Sequence, residues 1–175
     1  MREHKRLMVD IETLDTAPTA VVLSVGVVDI DTLETVGYWR LDPTKQPGRT
    51  ISAGTVVWWM QQSKEARDEV FGEQHVCYNV LNVARTLAEL FETAEELWAN
   101  GTDFDFGILN NLMQKELPGY RFPFWKQRDY RTFKSVFKAH APLGAIGTAH
   151  NALDDAKNQA IGLRAIEKAL NITGG

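Results

Sequence analysis

The chain is poor in cysteine, in positive charge and in long apolar runs, and each scarcity removes a class of protein. One cysteine, Cys77, stands among 175 residues. It can close no intrachain disulfide and build no thiolate metal site, so a disulfide-stapled scaffold and a zinc ribbon are excluded. By the ordinary behaviour of free thiols, Cys77 is expected to be inert and buried or half-buried. No stretch approaches the ~18 consecutive apolar residues of a membrane span, and the residues from Met1 to Leu7 run into Asp10 and Glu12 without an apolar signal core. A cytoplasmic, membrane-free protein is therefore expected. Lys and Arg number 19 against 23 Asp and Glu, a formal net charge of −4. Such a balance gives no general basic field for nucleic acid or anionic membranes, so a polyanionic partner has to be gripped locally. With no repeats, low-complexity tracts or Ser/Gly-rich linkers, residues 1–175 read as one domain.

What is present begins with strands. Residues 5–11 alternate Leu7, Val9 and Ile11 with Met8, Asp10 and Glu12, residues 20–30 are rich in β-branched side chains, and a turn at 31–34 leads to a third strand over 35–41. Short links between them predict an antiparallel meander. Helical signals follow: Ser52 before a segment through Trp58, Trp59 and Met60, a second piece from Ser63, and Val80, Ala84, Leu87 and Phe91 at helical spacing over 79–93. A short apolar strand at 95–99, a loop at 100–102 and a helix from about Phe104 to Glu116 come next, stopped by Pro118 and Gly119. Residues 128–130 suggest another strand, 132–139 a helix, 141–147 a loop and 151–170 the longest helix. The order predicts an α/β fold: a mixed sheet with an antiparallel three-stranded start, then parallel strands, flanked by helices.

The carboxylates fall where this plan makes them conspicuous. Asp10 and Glu12 share one face of the first strand, about 7 Å apart at ~3.3 Å per residue. A solvated strand end often carries such a pair, but this strand otherwise reads as buried, and two buried acids are costly without a cation or donor. Asp105 precedes Ile108, Leu109 and Leu112 by three, four and seven residues and so shares their inward face, whereas Asp103 is expected to cap the helix. The bland alternative for Asp105 is an N-terminal charge favoured by the helix dipole. On the last helix Ala152, Ala156, Ala160, Leu163, Ile166 and Leu170 form one stripe; Asp155 borders it, and Asp154 points to solvent. His150 stands five residues before Asp155, where a cap or surface role is the plain reading until its companions are counted.

Four inward carboxylates carry four negative charges, which two divalent cations would balance. Oxygen donors without cysteine favour Mg²⁺ or Mn²⁺. A pair of such ions ~3.5–4 Å apart clamps both the attacking and the leaving oxygen in a phosphoryl transfer. His150, of a residue type that ordinarily titrates near neutrality, suits a general base for the attacking water.

Asp10-Ile11-Glu12, Phe104-Asp105 and His150-Asn151-Ala152-Leu153-Asp154-Asp155, in that order, resemble the three motifs of the DEDDh (DnaQ-like) 3′-to-5′ exonucleases, which have a ribonuclease H-like fold. Residues 8–14, Val57-Trp58-Trp59 and residues 127–132 further resemble the branch of phage exodeoxyribonuclease A and the mycobacterial-type exoribonucleases. The resemblance implies a metal-dependent 3′-to-5′ exonuclease that releases nucleoside 5′-monophosphates from single-stranded DNA or RNA 3′ ends. It also implies metal ligands at Asp10, Glu12, Asp105 and Asp155, His150 as base, Asp129 in a structural role, and a homodimer as in many members. An RNA-only or short-oligonucleotide enzyme and a non-catalytic nucleic-acid-binding module are the alternatives.

Substrate contacts are less sharply drawn. Trp58 and Trp59 point about 100° apart on a helix, so one belongs to the core and the other is free to stack on a base; Trp59 is taken as the stacking residue. Thr13 and Leu14 are assigned to the 3′ end through their backbone amides, with Leu14 also placed to wedge bases. Arg128 and Arg131, within a basic stretch that includes Lys126, Lys134 and Lys138, either line a groove for the phosphodiester backbone or form a solvated face. The loop at 141–149 is expected to let His150 move into place with substrate and metal.

Overall fold

The computed structural model describes residues 5–72, 76–138 and 147–172. These form strands β1 (Arg6–Thr13), β2 (Val22–Asp29), β3 (Thr35–Arg40), β4 (Glu96–Ala99) and β5 (Gln127–Asp129), and helices α1 (Ala53–Met60), α2 (Lys64–Phe71), α3 (Val80–Thr93), α4 (Thr102–Glu116), α5 (Tyr130–Val136) and α6 (Ala152–Ala169). One sheet holds all five strands in the order β3-β2-β1-β4-β5. The β1–β2 and β2–β3 pairs are antiparallel, and β1–β4 and β4–β5 are parallel, so the expected mixed sheet is found.

Strand β1 lies at the centre and is covered on both sides. Leu7, Val9 and Ile11 join a cluster with Val83, Leu87 and Phe91 of α3 and Leu109 and Leu112 of α4. On the opposite face Met8 packs with Val28 and with Ala156, Ala160, Leu163 and Ile166 of α6. Each fully buried Leu, Ile, Val or Met contributes roughly 1.5–3 kcal/mol, and a strand covered this way reads as a nearly continuous apolar run. The departures from that run, Asp10 and Glu12, stand on the α6 face.

Gly26 on β2 decides how closely α6 sits. A Cβ there would fall 2.4 Å from the carbonyl oxygen of Ala152, so only glycine lets the first turn of α6 rest on the sheet. At the other end of the helix the buried Arg6 pairs with Asp31 at 3.1 Å, with Glu96 at 3.5 Å and with Glu167, tying α6 to β1 and β4. Because α6 is fixed at both ends, the position of its Asp155 over β1 is set by the sheet.

Several local expectations need correction. Helix α4 begins at Thr102, and its N-cap is Gly101 at φ +121°. Asp103 lies exposed inside the first turn and does not cap it. The acceptor comes instead from Asp129, whose Oδ2 receives the Thr102 amide at 3.0 Å. Asp129 also caps α5 through the Thr132 amide at 2.7 Å, so that helix starts at Tyr130 and ends at Val136, earlier than expected at both ends. Cys77 is exposed, contrary to the sequence reading, because it lies between α2 and α3 in a segment that touches the sheet region through the Leu41–Tyr78 bridge. Most of the loop predicted at 141–147 lies outside the described residues.

Candidate active site

Three elements bring the predicted acids to the carboxyl end of β1. Asp10 and Glu12 lie opposite Gly26 and Ser24 of β2. Asp105, 2% exposed, reaches over from the first turn of α4, and its Oδ1 accepts the Ile11 amide at 3.3 Å. Asp155, in the first turn of α6, accepts the His150 amide on Oδ2 at 3.0 Å. All four, with His150, line one pocket of about 700 Å³. Ligand atoms of Glu12, His150 and Asp155 lie within 4.8 Å of one another.

Such crowding has an electrostatic consequence. Burial, followed by the charges of Asp105 and Glu12, holds the Asp10 carboxyl well above the usual range, although the hydrogen bond from Gln159 opposes the rise. Burial and the charges of Asp155 and Asp105 push Glu12 up to about 8. Burial pushes Asp105 up to about 7 against the Ile11 hydrogen bond and the Arg131 charge, and burial also raises Asp155. Among the described residues, Arg131 is the one Lys or Arg side chain lining the pocket, and its guanidinium donates to the Asn100 carbonyl at 2.9 Å. Ionised together, the acids would carry more negative charge than Arg131 offsets, and a bound cation would relieve it. The carboxylate oxygens form a donor set suited to hard divalent cations, with one imidazole beside them.

His150 is held in an uncommon conformation, φ +63°, by its amide bond to Asp155 and by the start of α6, where Asn151 Oδ1 accepts the Leu153 and Asp154 amides at 2.9 and 3.1 Å. A non-glycine residue in this region stores on the order of 1–3 kcal/mol, repaid by its surroundings. Asp154, assigned to solvent from the helical wheel, turns back to accept the Thr148 amide at 2.9 Å and so fastens the residues ahead of His150. The His150 ring meets the edge of Trp58 at 4.7 Å between centroids. Residues 141–146 of the loop expected to carry His150 lie outside the described residues; His150 itself is in the pocket.

The substrate assignments divide. Thr13 and Arg131 line the pocket. Trp59 does not: it is 2% exposed, packs with Leu14, Val21, Leu23 and Ala66, and donates its indole N–H to the Thr13 carbonyl at 2.9 Å. The free aromatic face belongs to Trp58, 40% exposed, because α1 turns Trp59 toward the core. Leu14 is buried and its amide is already bonded to the Val21 carbonyl at 2.9 Å, so neither a base wedge nor an amide contact to the 3′ end is open to it. Arg128 faces away, pairing with Glu96 at 3.6 Å and with the Trp125 carbonyl. The basic stretch is no common groove: Lys126 binds the Phe91 and Glu92 carbonyls at the end of α3, and Lys134 lies over the Tyr130 ring. Gln159, which the sequence reading does not single out, stands one helical turn beyond Asp155 and so on the same face. It donates to Asp10 Oδ1 at 2.7 Å.

Known proteins share this architecture. The nuclease domain of 3′hExo, a DEDDh family member solved with rAMP, superposes with a TM-score of 0.54 at 18% identity over 97% of this chain and 93% of its own. A full-length 3′-exonuclease gives 0.53 at 15% identity over 94% of this chain, which spans 60% of that protein's length. The mixed five-stranded sheet with flanking helices matches the ribonuclease H-like fold of the DEDDh nuclease, as expected. In sequence, an exodeoxyribonuclease of Enterobacteria phage T4 is 25% identical over 155 residues, covering 71% of this chain and 68% of the relative. The stretch that carries the four acids and His150 into one pocket is also the stretch, residues 5–167, matched by the model of the Rv2179c-like 3′-5′ exoribonuclease domain, and the chain belongs to that family of DEDDh-type 3′-5′ exonucleases.

Proposed function

We propose that the chain removes nucleoside 5′-monophosphates one at a time from the 3′ end of single-stranded DNA or RNA, using two divalent cations, Mg²⁺ or Mn²⁺, held by Asp10, Glu12, Asp105 and Asp155. The observation that carries this reading is the convergence of four acids, two of them raised to about 7 and 8, beside one histidine in a single pocket. Cations bound there would stabilise charge on the phosphoryl group and favour ionisation of a bound water. The protein's own part begins with His150, which takes a proton from the attacking water. The water oxygen bonds to phosphorus, the bond to the upstream 3′ oxygen breaks, and that oxygen takes a proton from solvent. Trp58 presents a ring to the terminal base, and the ring also buttresses the His150 imidazole. Arg131 stands at the pocket wall, placed to meet a phosphate oxygen.

Digestion of matched 5′-labelled DNA and RNA strands, single- and double-stranded, with free and blocked 3′ ends, tests the proposal. A ladder of shortened labelled products is expected on single strands with free ends in Mg²⁺ or Mn²⁺, and none in EDTA. Release of the 5′ label as a mononucleotide from the outset, or equal digestion in EDTA, would overturn it. The DNA and RNA arms assign the sugar preference.

A further inference from the structure

A second groove, of about 460 Å³, lies on the other side of the first turn of α4 from the active-site pocket. Thr102 and Asp103 line the groove, and the next two residues, Phe104 and Asp105, line the pocket. The far wall is the segment leading into β5. There Phe122 enters the core beside Phe91 and Phe106, and the following 3-10 turn, Phe124–Lys126, throws its two aromatic residues outward. Phe124 is 72% and Trp125 64% exposed, with ring centroids 5.4 Å apart and planes at 83°.

Two large adjacent aromatics in water have no packing role, and an exposed patch of this kind marks a contact surface. Their backbone is nevertheless pinned. Lys126 binds the carbonyls of Phe91 and Glu92, and Arg128 donates to the Trp125 carbonyl at 3.0 Å while pairing with Glu96. A rigid aromatic platform binds a flat ligand at low entropic cost. The polar lining suits a nucleotide: Arg121 supplies a guanidinium, and Asn110 and Gln114 add side-chain amides. Beside them the α4 wall is open at Gly107, where a Cβ would meet nothing within 4 Å.

We propose that this groove is an upstream nucleotide subsite. It would hold, by stacking on Trp125 and Phe124, an unpaired base of the same strand whose 3′ end occupies the active-site pocket. This rests on the exonuclease reading, because the occupant is a continuation of that substrate. The nearness of the two depressions, lined by consecutive residues of one helical turn, is what favours a strand already seated by its 3′ end over a separate protein partner. Stacking is indifferent to sequence, so the subsite would favour longer strands without favouring particular bases. It also resolves how an acidic protein holds a polyanion, by aromatic surface where charge is lacking.

Binding of fluorescein-labelled strands in EDTA, followed by anisotropy, tests the subsite without any need for hydrolysis. The double substitution Phe124→Ala, Trp125→Ala is expected to weaken binding of a long unstructured strand roughly tenfold or more and to leave a dinucleotide unchanged. Gly107→Leu, which fills the groove without altering the platform, should reproduce the effect. Unchanged affinity of the long strand in both variants, or equal weakening of the dinucleotide, would overturn the subsite. Digestion by the parent protein is scored separately: a parent that binds with this length dependence and never shortens a strand keeps the subsite and loses the exonuclease reading.

Discussion

The side-chain amide of Gln159 donates to Oδ1 of Asp10 across 2.7 Å, while its own Oε1, buried, has no partner among the described residues. A neutral donor orients the carboxylate without cancelling its charge. A lysine or arginine at the same place would compete with a cation. Groups that orient metal ligands typically matter 10–100-fold in affinity or activity. Gln159→Leu, which keeps the volume and removes the donor, is therefore expected to lower Mn²⁺ affinity by roughly tenfold in calorimetry and to slow digestion, while the melting temperature stays near that of the parent. Parent-like affinity would show that Asp10 needs no such support.

Gly26 bears on the same site from beneath. Any side chain at 26 collides with the Ala152 backbone, which must lift. Overpacking of this sort costs typically 1–3 kcal/mol, and the displaced turn carries Asp155 and the bond to His150. Gly26→Ala should lose both several degrees of thermal stability and most of the nuclease activity. Full activity at a lowered melting temperature would mean that α6 does not register the site.

The raised acids make stability depend on pH in a stated direction. Glu12 and Asp105 have folded-state values of about 8 and 7, above the 4.5 and 3.8 ordinary for these groups. The folded protein therefore binds more protons than the unfolded chain, and the stability from these groups is complete below about pH 4 and lost as pH rises through 7 to 8. Mg²⁺ held by these acids would replace the protons, so its stabilising effect should grow over the same interval. Melting curves at pH 5.5 and 8.5 are expected to show a Mg²⁺-dependent rise larger at 8.5, by on the order of 5 °C. Equal rises would place the cation elsewhere.

His150 has two conceivable parts, as the base or as a nitrogen ligand beside Glu12 and Asp155. His150→Asn tolerates the left-handed backbone and removes the imidazole base. With His150 as base, hydrolysis falls about 10²–10⁴-fold and Mn²⁺ uptake persists. Loss of uptake would make the residue a ligand instead. Asp10→Ala should abolish both uptake and digestion.

Much of this was legible in residue order. The alternation through Leu7 to Glu12, the meander to Leu41 and the stripe from Ala152 to Ile166 follow from periodicity, which local backbone geometry imposes on any such chain. Asp105 and Asp155 could be singled out from their neighbours because a helix fixes which side chains share a face. Three-dimensional packing settled the remainder. It chose Trp58 over Trp59 for the pocket, spent the Leu14 amide inside the fold, turned Arg128 toward Glu96 and brought Gln159 to Asp10 from 149 residues away. Each of these depends on which of several polar or aromatic groups reaches a partner first, and partners distant along the chain leave no periodic trace in it.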